Sequence, residues 1–122
     1  MRWYKLAAAQ GRAEAQFNLG LMFSNGQGVA QDYVEAVRWY KLAAAQGDAD
    51  AQFNLGTMFD NGQGVAQDFT RAHMWYNLAA VSGDKNAVKN RDLTAALMTP
   101  KQIAQAQQLA RKCTARNFQN CD

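Results

Sequence analysis

Few side chains in this sequence have the chemistry of a catalytic or metal-binding site. His73 is the only histidine, and it stands 36 residues after Val37 in an otherwise similar segment, so we expect a partly buried structural role. Ser82 and Lys85 fit a Ser-x-x-Lys motif, but the companion segments of serine acyl-transfer enzymes, Ser-Asp-Asn and Lys-Thr-Gly, are missing. No Cys, His and Asp cluster has metal-ligand spacing. The sequence therefore predicts no enzyme activity, no cofactor and no metal site.

The polar residues with the most regular spacing are three asparagines. Asn18, Asn54 and Asn90 are separated by 36 residues each. An asparagine amide offers both a donor and an acceptor, so a row of them can bind a peptide main chain without reading its sequence. The alternative is that each amide binds a neighbouring loop or helix and holds the protein together, since buried amides usually serve structure.

The same interval governs most of the chain. The segment Arg38–Gln67 repeats Arg2–Gln31 at an interval of 36 residues, and Trp3, Trp39 and Trp75 keep that interval. The first two copies differ only at the pairs Arg12/Asp48, Glu14/Asp50, Leu21/Thr57 and Ser24/Asp60. A fixed period of this length predicts a stacked array of repeats.

Each repeat reads as two antiparallel helices. Apolar residues recur at helical spacing, and each segment ends near a glycine. At the start of one helix, Asp32 and Glu35 form a capping-box pattern. The predicted helices are residues 2–10, 13–24, 32–46, 48–60 and 68–82, and the third is expected to bury Val34, Ala36, Val37, Trp39, Tyr40, Ala43 and Ala44 to various degrees.

Two residue types are expected to set the distance between these helices. Gly20 and Gly56 lack a side chain and allow close approach, while Trp39 and Trp75 should fill the space between repeats. On the opening helix, Trp3, Leu6 and Ala7 lie on one face.

The pattern changes after Asp84. The segment Lys85–Met98 occupies the place of a first helix, but Arg91-Asp92 replace Leu55-Gly56, so the next neighbour cannot pack in the same way. Thr99-Pro100 then starts a helix that runs to about Arg116. Its apolar side is Ile103, Ala106, Leu109 and Ala110, and its polar side predicts a terminal cap.

The motif AEAQFNLGLMFSNGQGVAQDYVEAVRWYKLAAAQG resembles the Sel-one-like repeat, a relative of the tetratricopeptide repeat. The resemblance covers nearly all of residues 1–98. It rests on Ala15, Leu19, Gly20, Phe23, Gly26, Gly28, Asp32, Ala36, Trp39, Ala43, Ala44 and the equivalents between Ala51 and Ala80. It implies an all-α, right-handed superhelix of helix pairs whose first helices line a concave groove. We expect one domain in residues 1–122, made of a half repeat (1–11), two repeats (12–47 and 48–83) and a diverged repeat with a capping helix (84–122).

The resemblance also implies a class of function. Proteins of this type are mostly bacterial adaptors or scaffolds, many of them exported, with eukaryotic members in membrane-protein quality control. In the related tetratricopeptide fold, asparagines on first helices bind the backbone or terminal carboxylate of an extended peptide. By that analogy, the groove residues would be Glu14, Phe17, Asn18, Leu21, Asp50, Phe53, Asn54, Thr57, Lys89, Asn90 and Leu93. Phe17 and Phe53 beside acidic residues suit a protein segment with apolar and basic side chains, or else they are packing residues.

Two alternatives to a groove ligand remain open. The chain begins within a repeat, which predicts a fragment of a longer repeat protein and exposes Trp3 and Tyr4 on an unpaired helix. Such a face favours self-association. The chain could equally be an architectural spacer whose ends make the contacts.

Charge is distributed unevenly along the chain. Residues up to Asp84 include six basic and eight acidic residues, for a net charge of −2, and the remainder has seven basic and two acidic residues, for a net charge of +5. Lys101, Arg111, Lys112 and Arg116 have no aromatic stacking residues beside them, so nucleic acid is not an expected partner. No apolar run reaches the roughly 20 residues that a membrane-spanning helix needs.

The two cysteines, Cys113 and Cys121, both lie near the end of the chain. In one continuous helix they would be about 12 Å apart, beyond the roughly 7 Å between Cα atoms that a disulfide tolerates. A disulfide therefore requires the helix to end between them, and Asn117 is a suitable stop. Two free thiols are the alternative. A bridge would favour an oxidising location such as the bacterial periplasm or the cell exterior, and the sequence does not otherwise predict the compartment.

Overall fold

The computed structural model describes residues 2–121, without the side chains of residues 2–4, so the predicted roles of Trp3 and Tyr4 lie outside the described residues. Across residues 2–121 the protein is built from seven helices, which confirms the all-α prediction. They are α1 (Arg2–Ala9), α2 (Ala13–Asn25), α3 (Tyr33–Ala44), α4 (Ala49–Asn61), α5 (Phe69–Val81), α6 (Lys85–Ala95) and α7 (Pro100–Ala115).

Aspartates begin most of these helices. A side-chain oxygen of the N-cap residue accepts a backbone N–H of the first turn, which would otherwise lack a partner inside the helix. Asp32, Asp48, Asp68 and Asp84 cap α3, α4, α5 and α6 in this way, and Thr99 begins α7 with a complete capping box.

The capping box predicted for Asp32 and Glu35 is wrong in its second half. The Asp32 carboxylate accepts the Glu35 N–H at 3.1 Å, as expected. The Glu35 carboxylate instead binds the Arg38 guanidinium at 2.8 Å. The Asp32 N–H donates to the Phe23 carbonyl at 2.9 Å and therefore needs no carboxylate.

Helices that follow each other in sequence pack against each other. α2 pairs with α3 and α4 pairs with α5, while contacts of α1 with α2, α3 with α4 and α5 with α6 join the pairs into one array. The result is a helical solenoid. Its main core is formed by α3, α4, α5 and α7, with a smaller cluster of Ala7, Ala8, Ala15 and Leu19 between α1 and α2.

Tyrosines on the second helices cover glycines on the first helices. A Cβ atom on Gly20 would lie 2.6 Å from the Tyr40 ring, and one on Gly56 would lie 2.6 Å from the Tyr76 ring. Both tyrosines are only 1% exposed. The predicted close approach at these glycines is present, and a tyrosine ring of the second helix lies against each of them. Trp75 is buried in the main core, and Trp39 is half-buried against the smaller cluster.

Two apolar residues expected to face inward are exposed. Val34 lies in the first turn of α3 and is 66% exposed, whereas Ala36 and Val37 of the same helix are buried. Leu6 is 58% exposed, and the small residues Ala7 and Ala8 provide the contact of α1 with α2.

The last helix packs on α5 rather than on α6. α7 makes its main helix contact with α5, where Met74 and Leu78 are almost completely buried. One repeat earlier, the same two positions are Arg38 and Leu42, which are exposed. The change from arginine to methionine is therefore the sequence feature that marks the surface covered by α7.

A short hook follows α7 and contacts the turn between α3 and α4. Asn117 and Phe118 have positive φ values of 52° and 66°, so the chain reverses there. Cys113 and Cys121 form a disulfide with Cα atoms 5.0 Å apart. Phe118 packs against the main core, and the Gln119 amide donates to the Ala45 carbonyl at 2.8 Å.

We expect the disulfide to stabilise the protein. Closing a loop of this length lowers the conformational entropy of the unfolded chain, which stabilises the folded protein by about 2 to 3 kcal/mol. Urea unfolding with a reducing phosphine should therefore give a lower free energy of unfolding than unfolding without it. A Cys113→Ala/Cys121→Ala variant should be insensitive to the reductant. Two reactive thiols in denatured, unreduced protein would contradict the bridge.

Candidate protein-binding groove

The helices α2, α4 and α6 form what we call the first-helix face. A cleft of about 200 Å³ opens on it between α2 and α4. The cleft brings together three of the predicted groove residues, Leu21, Asn54 and Thr57. Ser24, Asn25, Tyr40, Met58 and Gln63 complete its lining. Apolar and amide side chains thus lie side by side, which suits a peptide with both apolar side chains and a free main chain.

The predicted charged residues lie around this cleft and not in it. Glu14 and Asp50 are exposed in the first turns of α2 and α4. Lys89 is exposed on α6. These side chains remain hydrated, so their contribution is attraction at a distance rather than a buried ion pair.

Phe17 and Phe53 have a packing role. Each is half-buried, and their rings lie 5.8 Å and 5.5 Å from the rings of Tyr40 and Tyr76 respectively. Tilted rings at this distance stabilise each other. The two phenylalanines therefore hold the buried tyrosines in place and offer only part of their surface to a partner.

The asparagine row contacts these same tyrosines. Burial raises the pKa of the Tyr40 hydroxyl, and hydrogen bonding with Asn54 and Ser24 offsets part of that rise. Burial likewise raises the pKa of Tyr76, which interacts with Thr57 at 3.1 Å and with Asn90. Asn54 and Asn90 thus each reach the tyrosine of the preceding repeat, whose hydroxyl lies between two successive first helices.

This arrangement favours the structural interpretation of the row. A buried hydroxyl needs a partner, and the amide of the next repeat provides one. Asn18 is half-buried, and its counterpart in the preceding half repeat is Tyr4, whose side chain lies outside the described residues. The amides of Asn54 and Asn90 have remaining donors and acceptors.

A second polar row, not recognised from the sequence, also joins the repeats. The Gln16 amide donates to the Ala8 carbonyl at 3.2 Å, and the Gln52 amide donates to the Ala44 carbonyl at 3.3 Å. Both side chains are buried, and each binds a carbonyl near the end of the helix before it. The sequence shows that these glutamines are 36 residues apart, but it does not show that they are buried.

The first-helix face becomes apolar at α6. Leu93 and Leu97 are 62% and 65% exposed, and they take the positions of Thr57 and Asn61 one repeat earlier. Leu93 is a predicted groove residue. Leu97 is not, although it lies in the same predicted helical segment, and in the structure it follows the end of α6. Asp92 stands in the place of Gly56, and the residue 36 positions after Tyr76 is Lys112 rather than a tyrosine.

The two residues considered for catalysis, His73 and Ser82, lie on α5 and at its C-terminal end. His73 is 4% exposed, and its pKa is lowered by burial and by the nearby Arg91, which outweigh the opposite effect of Asp92. The Ser82 hydroxyl donates to the Leu78 carbonyl at 3.2 Å, at the end of α5. Within residues 2–121, no three His, Cys, Asp or Glu side chains are grouped so that they could hold a metal ion. No helix in that range is long and apolar enough to cross a membrane.

The sequence matches a known repeat family over most of its length. The model of the Sel1 repeat matches residues 1–11, 13–48 and 49–84. The chain belongs to the Sel1 repeat family. The two full matches begin one residue later than the predicted repeats, and the division of residues 84–122 into a diverged repeat and a cap stays a prediction.

Solved Sel1 repeat structures have the same fold. One is a protective antigen from uropathogenic Escherichia coli strains that displays an SLR fold, with 34% sequence identity and a TM-score of 0.92. The match covers 98% of this chain but only 26% of the antigen. Another is a Sel1 repeat protein from Oxalobacter formigenes, with 40% identity, a TM-score of 0.73 and coverage of 75% of this chain and 68% of that protein. No curated protein sequence matches the chain.

Membership in this family sets the class of function. Sel1 repeats are generally protein–protein interaction modules, and Sel1 repeat proteins are generally non-enzymatic scaffolds. Because the chain spans about a quarter of the E. coli antigen, the likeness concerns the repeat fold.

The contact between Asn54 and Tyr40 predicts energetic coupling between neighbouring repeats. The variants Tyr40→Phe and Asn54→Ala should each lower the free energy of unfolding by about 1 kcal/mol. Together they should cost less than their sum, by about 0.5 to 1 kcal/mol, because both remove the same polar contact. Urea denaturation of the four proteins of this cycle measures the coupling.

A matched control pairs Tyr40→Phe with Asn90→Ala, since Asn90 interacts with Tyr76 instead. Those effects should add to within about 0.5 kcal/mol. Additive effects for Tyr40→Phe with Asn54→Ala would show that the asparagine does not hold the tyrosine.

Proposed function

We propose that this Sel1 repeat chain is a protein-binding adaptor that holds a segment of its partner in a concave groove formed by α2, α4 and α6. The observation that carries the proposal is the cleft between α2 and α4, because it combines apolar Leu21 and Met58 with the amides of Asn54 and Gln63. Apolar side chains of a partner can enter the cleft while its main chain binds the amides.

Electrostatics define the kind of segment that the groove favours. Glu14 and Asp50 project into solvent from the first turns of neighbouring first helices. Exposed carboxylates attract basic side chains and increase the rate of encounter, although each contributes little affinity. The partner segment is therefore expected to carry a basic residue as well as apolar ones.

The role of the asparagines in this proposal is narrower than the sequence indicates. Asn54 and Asn90 interact with tyrosine hydroxyls, which occupies part of their hydrogen-bonding capacity. We infer that they support the groove and bind a ligand main chain only with the remaining donor and acceptor positions.

The second candidate function is an architectural spacer in a longer protein. The engagement of Asn54 and Asn90 with Tyr40 and Tyr76 favours it, because a row of amides used for internal contacts needs no ligand to explain it. A spacer tolerates changes on the first-helix face, whereas an adaptor does not.

Affinity capture with matched charge reversals separates the two functions. The bait proteins are the wild type, a groove variant (Glu14→Arg/Asp50→Arg) and a control (Lys101→Glu/Lys112→Glu) in which exposed α7 residues are reversed. Each reversal lies on an exposed position, and circular dichroism confirms folding. Captured bacterial proteins are identified by mass spectrometry.

An adaptor should recover at least one partner with the wild type and the control but about tenfold less with the groove variant, a change that corresponds to about 1.4 kcal/mol. Equal recovery by all three baits, or no recovery above empty resin, would contradict groove binding and support the spacer.

A further inference from the structure

We propose that the groove is polarised and takes a linear protein segment in one direction, with a basic residue near Asp50 and Glu14 and an apolar residue with an acidic neighbour on α6. This inference rests on the proposed groove and adds the chemistry and order of its ligand. It comes from the differences between the third first helix and the two before it.

The α6 end of the groove is apolar and basic. Lys85, Lys89, Leu93 and Leu97 follow each other at intervals of four residues and are all exposed. Within α6, residues four apart lie on one side of the helix, so Leu93 continues from the two lysines. Leu97 follows two residues after the helix ends. We call these two exposed leucines the apolar strip. The corresponding residues of α4 are Ala49, Phe53, Thr57 and Asn61.

The charges on this strip are available to a ligand. Within the described residues, neither Lys85 nor Lys89 forms an ion pair, and the nearby Asp92 carboxylate contacts Arg91 at 3.3 Å. An apolar side chain placed on Leu93 therefore has the Lys89 ammonium group one helical turn away. An acidic neighbour of that side chain would complement them.

The part of the groove formed by α2 and α4 is acidic. Asp50 is exposed in the first turn of α4, two residues after the cap Asp48. Glu14 is exposed at the same position of α2, with the exposed Arg12 two residues before it. Since Arg12 weakens the local negative potential, Asp50 is the stronger attraction for a basic side chain.

The helix geometry sets a minimum length for the segment. Successive first helices are not among the closely packed helix pairs, so their separation is no less than the roughly 10 Å of packed helices. The seven residues along the helix axis between the position of Asp50 and that of Leu93 add about 10 Å. The span from Asp50 to Leu93 is therefore at least about 14 Å. An extended chain advances about 3.3 Å per residue, so the basic and apolar residues of the ligand should be at least about four positions apart.

Selection from a random library of twelve-residue peptides on immobilised protein tests the order of these features. With the wild type we expect enriched peptides that contain Leu, Ile, Met or Phe beside Asp or Glu, and Lys or Arg at least about four positions away. On a Lys85→Glu/Lys89→Glu variant, a basic residue should replace the acidic one beside the apolar residue.

A second variant replaces the two leucines of the apolar strip with the residues found at the same positions one repeat earlier. Leu93→Thr/Leu97→Asn introduces the residues of the second repeat. The best wild-type peptide should bind it at least about tenfold more weakly in fluorescence anisotropy. It should bind a Lys101→Glu/Lys112→Glu control as it binds the wild type.

The outcomes separate this inference from the proposed function. Enriched peptides without the charge order, or with an order that the α6 variants do not change, would contradict the proposed polarity. The proposal that the groove binds a protein segment would still stand. Failure to enrich any peptide would overturn both.

Sedimentation of the protein alone should show a monomer at the concentration used. A dimer that Leu93→Thr/Leu97→Asn dissociates would instead assign the α6 strip to a second copy of the chain and overturn the proposal.

Discussion

The contact of a tyrosine ring with a glycine is the interaction on which the rest of this structure depends. Tyr40 lies on Gly20 and Tyr76 lies on Gly56, with no room for a methyl group at either glycine. The ring fixes the distance between the two helices of a repeat, and Phe17 and Phe53 hold it from the side. The hydroxyl then lies between successive first helices, where Asn54 or Asn90 of the next repeat meets it. One side chain thus determines both the packing inside a repeat and the contact between repeats.

Because these side chains pack the helices together, other residues must provide any surface that binds a partner. The regularly repeated residues are engaged in structure, so the residues with free surface are those in which the repeats differ. Glu14 and Asp50 supply negative charge at one end of the first-helix face, and Leu93 and Leu97 replace polar residues at the other. α7 and its disulfide-closed hook pack on α5 and on the turn after α3, which leaves the outer side of α6 uncovered. The proposed partner therefore contacts a surface made of residues that differ from one repeat to the next.

The sequence predicts the repeat architecture well because each rule involved is local. The 36-residue interval, the aspartate caps and the glycine positions all act within one or two helices, and the helices start and end close to where these residues place them. Long-range choices were harder to predict. Nothing local shows that α7 leaves α6 for α5, although the change of Arg38 to Met74 marks the covered surface. The function of a polar row is equally non-local, since Gln52 and Asn54 look alike in sequence and only Gln52 is fully buried.

The most direct test of this account is the stability of a Gly56→Ala variant measured by urea denaturation. In an ordinary helix interior, alanine is more favourable than glycine by about 1 kcal/mol. Here the new Cβ atom would lie 2.6 Å from a ring carbon of Tyr76, which is buried and cannot move aside. The account predicts that the variant loses about 1 to 3 kcal/mol of unfolding free energy through overpacking. A variant as stable as the wild type, or more stable, would show that the tyrosine ring does not set the helix spacing.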